Sequence, residues 1–228
     1  MQLSIIIPVF NEAGVLPSLL DHLIPLRACG AEVIVVDGGS GDGSQQIASC
    51  AGAQVICTER GRARQMNAGA SAAHGEVLLF LHADTILPLC AEQAIETAIR
   101  RGGRADEFVW GHFDVCIDGR SFMLRVVARL MNWRSRLTGI ATGDQAIFIT
   151  RRAFEAVGGF PDQPLMEDIE MSKRLLALSR PICLMDRVVT SGRRWEVNGV
   201  WRTIWLMWRL RWSYWRGVPA SELARSYR

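Results

Sequence analysis

Apolar positions in the first 90 residues form short uninterrupted runs separated by stretches of helical composition. Leu3–Val9, Val33–Val36, Gln54–Cys57 and Val77–Leu81 read as strands, and residues 15–27, 44–51 and 62–73 as helices. Continuous apolar strands alternating with helices predict a parallel sheet covered on both faces. Ligands of such sheets bind beyond the carboxyl ends of the strands. The first run ends in Pro8-Val9-Phe10-Asn11-Glu12, the second in Asp37-Gly-Gly-Ser-Gly-Asp-Gly43 and the fourth in His82-Ala83-Asp84. Three strands therefore deliver polar or acidic groups to one edge.

A helix is expected from Pro88 to Arg101, then an alternating strand over Phe108–Ile117 with Gly111 marking a close backbone approach. An apolar-faced helix follows over residues 122–133, and Ala146–Ile149 reads as a strand. Thr150 is placed to cap a short helix that stops at Gly158-Gly159. A helix over 165–178 opens with Glu167-Asp168-Ile169-Glu170. Trp201, Trp205, Trp208, Trp212 and Trp215 recur at steps of 4, 3, 4 and 3, one stripe of a helix, with Arg202, Arg209, Arg211 and Arg216 between them. No repeat or Pro/Ser linker marks a hard boundary. The expected division is a main α/β domain over 1–195 and an amphipathic helical appendage over 196–228.

A chain of 228 residues fits one α/β domain with a filled core. Mean hydropathy of +0.12 does not demand an integral membrane protein. The net charge of +3 gives no case for a nucleic-acid partner, but its distribution is uneven. From Arg187 onward nine Arg face two acids, while the remainder carries 17 basic and 21 acidic residues. Local charge of this kind favours anionic surfaces, phospholipid headgroups among them. Six cysteines without a C-x-x-C pair read as buried, reduced thiols rather than a zinc site. Leu3–Val9 lacks a basic flank and is a strand rather than a signal peptide, so the expected compartment is the cytoplasm, with peripheral contact to the inner membrane face as an extension.

Five segments carry a resemblance: Ile5-Ile-Ile-Pro-Val-Phe-Asn-Glu12, Val35-Val-Asp-Gly-Gly-Ser40, Asn67-Ala-Gly69, Leu79-Phe-Leu-His-Ala-Asp84 and Met166-Glu-Asp168. In this order and spacing they resemble family-2 glycosyltransferases. Gly61-Arg-Ala-Arg-Gln-Met-Asn-Ala-Gly69 and Gly143-Asp-Gln145 look like the small bacterial branch named radical-SAM/selenodomain-associated transferases. The resemblance spans about residues 3–195. It implies a GT-A fold, with a Rossmann-like, mostly parallel sheet and helices on both faces. It also implies inverting sugar transfer from a nucleoside-diphosphate donor, UDP-linked in the first instance.

The carry-over assigns Pro8, Phe10, Glu12, Asp37, Arg64, Asn67 and His82 to the nucleotide. The Asp37 carboxylate can accept a base imide or ribose hydroxyl, and the glycines after it allow close approach. A turn role for Asp37, with Asp42 capping the next helix, is the competing reading. Asp84 is the expected ligand of Mg²⁺ or Mn²⁺, which neutralises diphosphate charge. The family's Asp-x-Asp is here His82-Ala83-Asp84, and His suits Mn²⁺ better than Mg²⁺. Asp168 is the expected catalytic base, with Glu167 as fallback; two acids at a helix start also suit the helix dipole. Asp144 and Gln145 are expected sugar or acceptor contacts. Arg193, Arg194 and Trp195 match the family's late basic motif, beside the leaving diphosphate.

The acceptor is open between a lipid phosphate and a small molecule. Three readings compete for the Trp/Arg helix: an interfacial membrane helix, a core-packing helix, and a homodimer contact. Two other functions stand against the transferase. One is a sugar nucleotidyltransferase, which would want a Gly-rich basic loop after the first strand. The other is a catalytically silent membrane-surface binding protein that keeps the fold.

Overall fold

Successive side chains of a strand point to opposite faces, and the strands sort their apolar residues into two cores on that rule. Ile5, Ile7 and Val9 of β1 (Leu3–Val9) join Val33 and Val35 of β2 (Glu32–Asp37) and Leu79 of β4 (Val77–Phe80) in one buried cluster. Ile6, Ile34, Val36, Leu78 and Phe80 join the other. The computed structural model describes residues 1–102 and 108–227. Helices α1 (Leu16–His22), α3 (Ser44–Cys50), α5 (Ala91–Gly102) and α6 (Phe122–Thr138) cover the first face. Helices α4 (Arg62–Ala72), α7 (Arg151–Ala156) and α8 (Glu167–Leu176) cover the second.

The eight strands run in the order β3-β2-β1-β4-β7-β6-β8-β5, where β3 is Gln54–Cys57, β5 Thr85–Ile86, β6 Trp110–Asp118, β7 Ile147–Thr150 and β8 Ile182–Ser191. Pairing is parallel among β3, β2, β1 and β4 and between β6 and β8; β7 runs antiparallel to β4 and β6, and β5 to β8. The sheet is thus mixed and mostly parallel.

Several expectations shift. The first helix breaks at Leu23 into α1 and α2 (Ile24–Ala28), because Pro25 has no N–H to continue the ladder. Helix α6 runs on to Thr138 and stops where Gly139 turns left-handed at φ 70°. Thr150 stands at the start of α7, but its hydroxyl donates to Val109 O at 3.1 Å instead of capping. Strands β5 and β8 were not foreseen. In β8 a register shift opposite Phe113/Asp114 breaks the alternation that would have exposed it. The six cysteines are unpaired, yet Cys29, Cys50, Cys57 and Cys90 are exposed rather than buried. Gly111 does mark a close approach: a Cβ there would lie 2.2 Å from Ile182 O.

The chain closes with α9 (Arg193–Asn198), α10 (Val200–Trp215) and α11 (Ala220–Tyr227). Leu210 and Leu223 bury against Met166 and Ile169, which flank Glu167 and Asp168. Helix α10 therefore packs on the start of α8 through Leu210, whereas its tryptophans face outward, between 59% (Trp212) and 75% (Trp208) exposed. The reading of the Trp stripe as core is overturned. Among the described residues no helix is long and apolar enough to cross a membrane.

Candidate active site

Strands β1 and β2 end side by side, Val9 opposite Asp37 and Pro8 opposite Val36. Asp37 is fully buried. Its Oδ1 accepts Gly39 N, Ser40 N and Gln45 Nε2, each at 2.8 Å. Its Oδ2 is buried without a partner. Burial pushes the Asp37 carboxyl up, but the hydrogen bonds from Ser40, Gln45 and Gly39 outweigh it and hold the group below its ordinary value. Asp37 thus serves the turn through one oxygen and leaves the other as an unmatched acceptor, which buried oxygens rarely are.

The loops around Asp37 are fastened to one another. Asn11 N donates to Ser40 Oγ at 2.8 Å, and Asn11 Oδ1 accepts Gly41 N at 2.9 Å. Asp42 Oδ1 accepts Ser44 N at 3.1 Å, but the N-cap position of α3 belongs to Gly43, so Asp42 stands one residue ahead of the cap. Buried Gln65 Nε2 donates to Val9 O and Val36 O, both at 2.8 Å, and pins α4 to the two strand ends. Phe10 lies 3.9 Å beneath the Arg60 guanidinium.

A second group gathers where β4 ends. His82, Gly143, Glu167 and Asp168 line one cavity with Met66 and Phe160. His82 Nδ1 lies 3.3 Å from Asp144 Oδ1, and a Cβ on Gly143 would lie 2.3 Å from His82 Nε2. Gly143 N donates to Asp168 Oδ2 at 2.9 Å, while Asp168 Oδ1 accepts Ile169 N at 2.8 Å. Met166 turns the chain into α8 at φ 64°, a left-handed conformation that costs a non-glycine residue about 1–2 kcal/mol. Such strain persists where the surroundings impose it, and here it aims two adjacent carboxyls into the cavity.

The acids differ in environment. Burial first, and then the charge of Asp168, push the Glu167 carboxyl above its ordinary value. Burial also raises the Asp144 carboxyl, but the His82 hydrogen bond, with Arg62 and Arg211 nearby, brings it below the usual range. Burial works against the charge of Arg62, which Glu167, Tyr227, Asp144 and Asp168 more than restore.

Ser191 N donates to Asp84 O at 3.1 Å, so β8 delivers α9 to the end of β4. Arg193 Nη2 comes 3.9 Å from Glu12 Oε2. Arg194 donates to the Tyr227 hydroxyl and stacks 3.9 Å over its ring, while Trp195 packs on the first core. Burial and then the charge of Asp84 raise the Glu12 carboxyl. A carboxyl that feels a second carboxylate in this way suits a shared cation. No group of three or more protein ligands stands among the described residues. A divalent ion held by one or two carboxylates and completed by substrate phosphates suits this set.

Three of the expected contact residues are engaged within the protein itself in this structure. Arg64 is exposed and pairs with Asp162 at 2.9 Å and with Glu59; Arg62, two residues earlier, faces the acids instead. Asn67 meets Phe160 on both sides of its amide, Nδ2 to Phe160 O at 2.8 Å and Oδ1 from Phe160 N at 2.9 Å, and so staples α4 to the loop after α7. Gln145 is fully buried, and its amide binds Thr142 N, Ser135 Oγ and His112 Nδ1. Sequence reasoning missed Arg134 and Arg211, whose guanidiniums burial depresses and the charges of Asp168 and Asp144 partly restore. The position of Arg211, beside Leu210 and off the Trp stripe, was the available signal.

Residues 4–157 match the family described as Glycosyl transferase family 2. A PGL/p-HBAD biosynthesis glycosyltransferase of Mycobacterium bovis is 44% identical over 92 residues, covering 37% of this chain and 36% of that protein. The probable glycosyltransferase YdaM of Bacillus subtilis is 24% identical over 93% of this chain and 54% of its own. The chain thus spans about a third to a half of the curated relatives it matches. Among solved structures, Staphylococcus aureus TarS superposes with a TM-score of 0.67 at 18% identity, over 84% of this chain and 61% of its own. The Pyrobaculum calidifontis mannosyltransferase PcManGT, in complex with GDP-Man and Mn²⁺, gives 0.64 at 22% identity, over 92% and 60%. These likenesses establish the GT-A fold. With the family match over most of its length, the chain belongs to glycosyl transferase family 2.

Proposed function

We propose that the chain transfers a sugar from a nucleoside-diphosphate donor, UDP-linked, to an acceptor hydroxyl with inversion. The observation that carries this reading is the meeting of His82, Gly143, Glu167 and Asp168 in one cavity at the sheet edge where Asp37 keeps an unmatched buried oxygen. Asp37 Oδ2 takes a donor hydrogen from base or ribose. Phe10 and Arg60 offer a stacking wall, and Arg62 and Arg193 face the diphosphate. Asp84, with Glu12 beside it, holds Mn²⁺ or Mg²⁺; the ion supplies charge neutralisation to the leaving diphosphate.

The acceptor oxygen attacks the anomeric carbon as the carbon–oxygen bond to the diphosphate breaks and its electron pair leaves with the diphosphate. The acceptor proton passes to Asp168. The two backbone N–H groups on Asp168 fix the carboxylate without consuming its remaining lone pairs. Glu167 is the adjacent buried carboxyl, raised by burial and by the charge of Asp168.

The likeness of the segments 61–69 and 143–145 to the radical-SAM/selenodomain-associated branch supports a small soluble acceptor. The basic C-terminal helices support a lipid phosphate, a peripheral cytoplasmic location, or contact with a second copy. The test is a screen of UDP- and GDP-sugars for binding, hydrolysis and transfer with Mn²⁺ and Mg²⁺. A UDP-sugar that binds and turns over with metal supports the reading; no binding or turnover of any donor sinks it.

A further inference from the structure

Helix α10 has two faces with different partners. Leu210 is 1% exposed against α8, whereas Trp201, Trp205, Trp208, Trp212 and Trp215 are 70%, 64%, 75%, 59% and 74% exposed. Five indoles at helical spacing on one surface far exceed the scattered apolar residues normal for a soluble face. Exposed Arg202, Arg209 and Arg216 border the stripe, Arg209 lies 5.0 Å over the Trp205 ring, and α10 carries no acid. Helix α6 adds a second row: Leu130, Trp133 and Leu137 are 56%, 64% and 60% exposed. Arg134, next to Trp133, lies within electrostatic reach of Arg211 on α10.

We infer that this Trp/Arg face docks on the surface of an anionic phospholipid bilayer. Indole rings with an apolar body and an N–H donor settle at the headgroup level, and guanidinium groups pair with lipid phosphates. The charge pattern chooses this occupant over a second copy of the chain. A symmetric contact would set one Arg-bordered face against another with no acid on α10 to pair them. The helix is too short and too charged to span the bilayer and therefore lies along it. The inner face of α10 packs beside Glu167 and Asp168, so docking brings the cavity to within about a helix diameter, roughly 10 Å, of the lipid surface.

The inference rests on geometry outside the donor site, and its test is independent of sugar transfer. The full chain is floated with vesicles of phosphatidylcholine alone and of phosphatidylcholine with phosphatidylglycerol, beside a Trp205→Ser/Trp208→Ser/Trp212→Ser variant. Thermal melting and UDP binding confirm that the variant folds, since all three side chains are exposed. Wild type is expected to float with the anionic vesicles, and the variant to bind at least about tenfold more weakly. Failure of wild type to float with either vesicle overturns the inference, as does equal binding by the folded variant. So does a concentration-dependent dimer that the substitutions abolish while neither protein binds lipid.

Discussion

The backbone N–H of Gly143 donates to Asp168 Oδ2 at 2.9 Å, joining the turn after α6 to the first turn of α8. His82 sits against the same glycine, its Nε2 2.3 Å from where a Cβ would be. A Gly143→Ala substitution must therefore displace an imidazole, a backbone turn, or both. Transfer is expected to fall at least about tenfold, because a catalytic group shifted by an ångström loses its alignment. Donor affinity should stay within about threefold, as read by UDP-sugar titration.

Asp168→Asn keeps the shape and an acceptor oxygen for Gly143 N but removes the proton acceptor. Turnover is expected to fall by about 10²-fold or more with donor binding intact. Single-turnover kinetics beside a binding isotherm measure both. Unchanged turnover would remove Asp168 from the reaction and leave Glu167 as the candidate.

Arg62 and Arg64 make a paired test. Arg64 lies in exposed ion pairs with Glu59 and Asp162, worth about 0–1 kcal/mol. Arg64→Ala should change transfer by less than about threefold. Arg62 faces Glu167, Asp144 and Asp168, and Arg62→Gln should lower kcat/KM at least about tenfold.

Removing divalent metal with EDTA should abolish transfer, and Mn²⁺ or Mg²⁺ should restore it. Asp84→Asn should raise the metal concentration for half-maximal activity by about tenfold or more. Asp84 also helps raise the Glu12 carboxyl. The substitution should therefore move any acid limb that reports Glu12 to lower pH.

The strand ends were legible because they obey local rules: an apolar run, then a polar group, then glycines or proline. Asp37, His82 and Asp84 could be placed at one edge on that ground, and the sheet brings them there. The protein partners of Arg64 and Asn67 were not legible, because spacing along α4 says which side chains share a face but not what meets that face. Asp162 and Phe160, which hold them, lie 98 and 93 residues away. The partners of Gln145, lying in a buried network, were hidden for the same reason. The Trp stripe was legible as a stripe. Its exposure depended on Leu210 finding Met166 and Ile169, a contact between segments that no local pattern encodes.

Asp37 joins stability and binding in one carboxylate, and two substitutions separate them. Asp37→Ala removes the acceptor of three hydrogen bonds and should destabilise the fold by about 2–4 kcal/mol in urea unfolding. Asp37→Asn keeps an oxygen for the turn but puts an amide donor where Oδ2 was; it should fold and lose UDP affinity at least about tenfold. The pH dependence follows from the depressed folded-state pKa. An Asp stabilised as its anion contributes fully above its unfolded value, about 3.9, and loses that contribution as pH falls through the lower folded value. The wild-type advantage over Asp37→Asn should therefore be constant from neutral pH to about 5 and shrink below about 4. An advantage that grows on acidification would mean that burial, rather than the three donors, sets the charge state of Asp37.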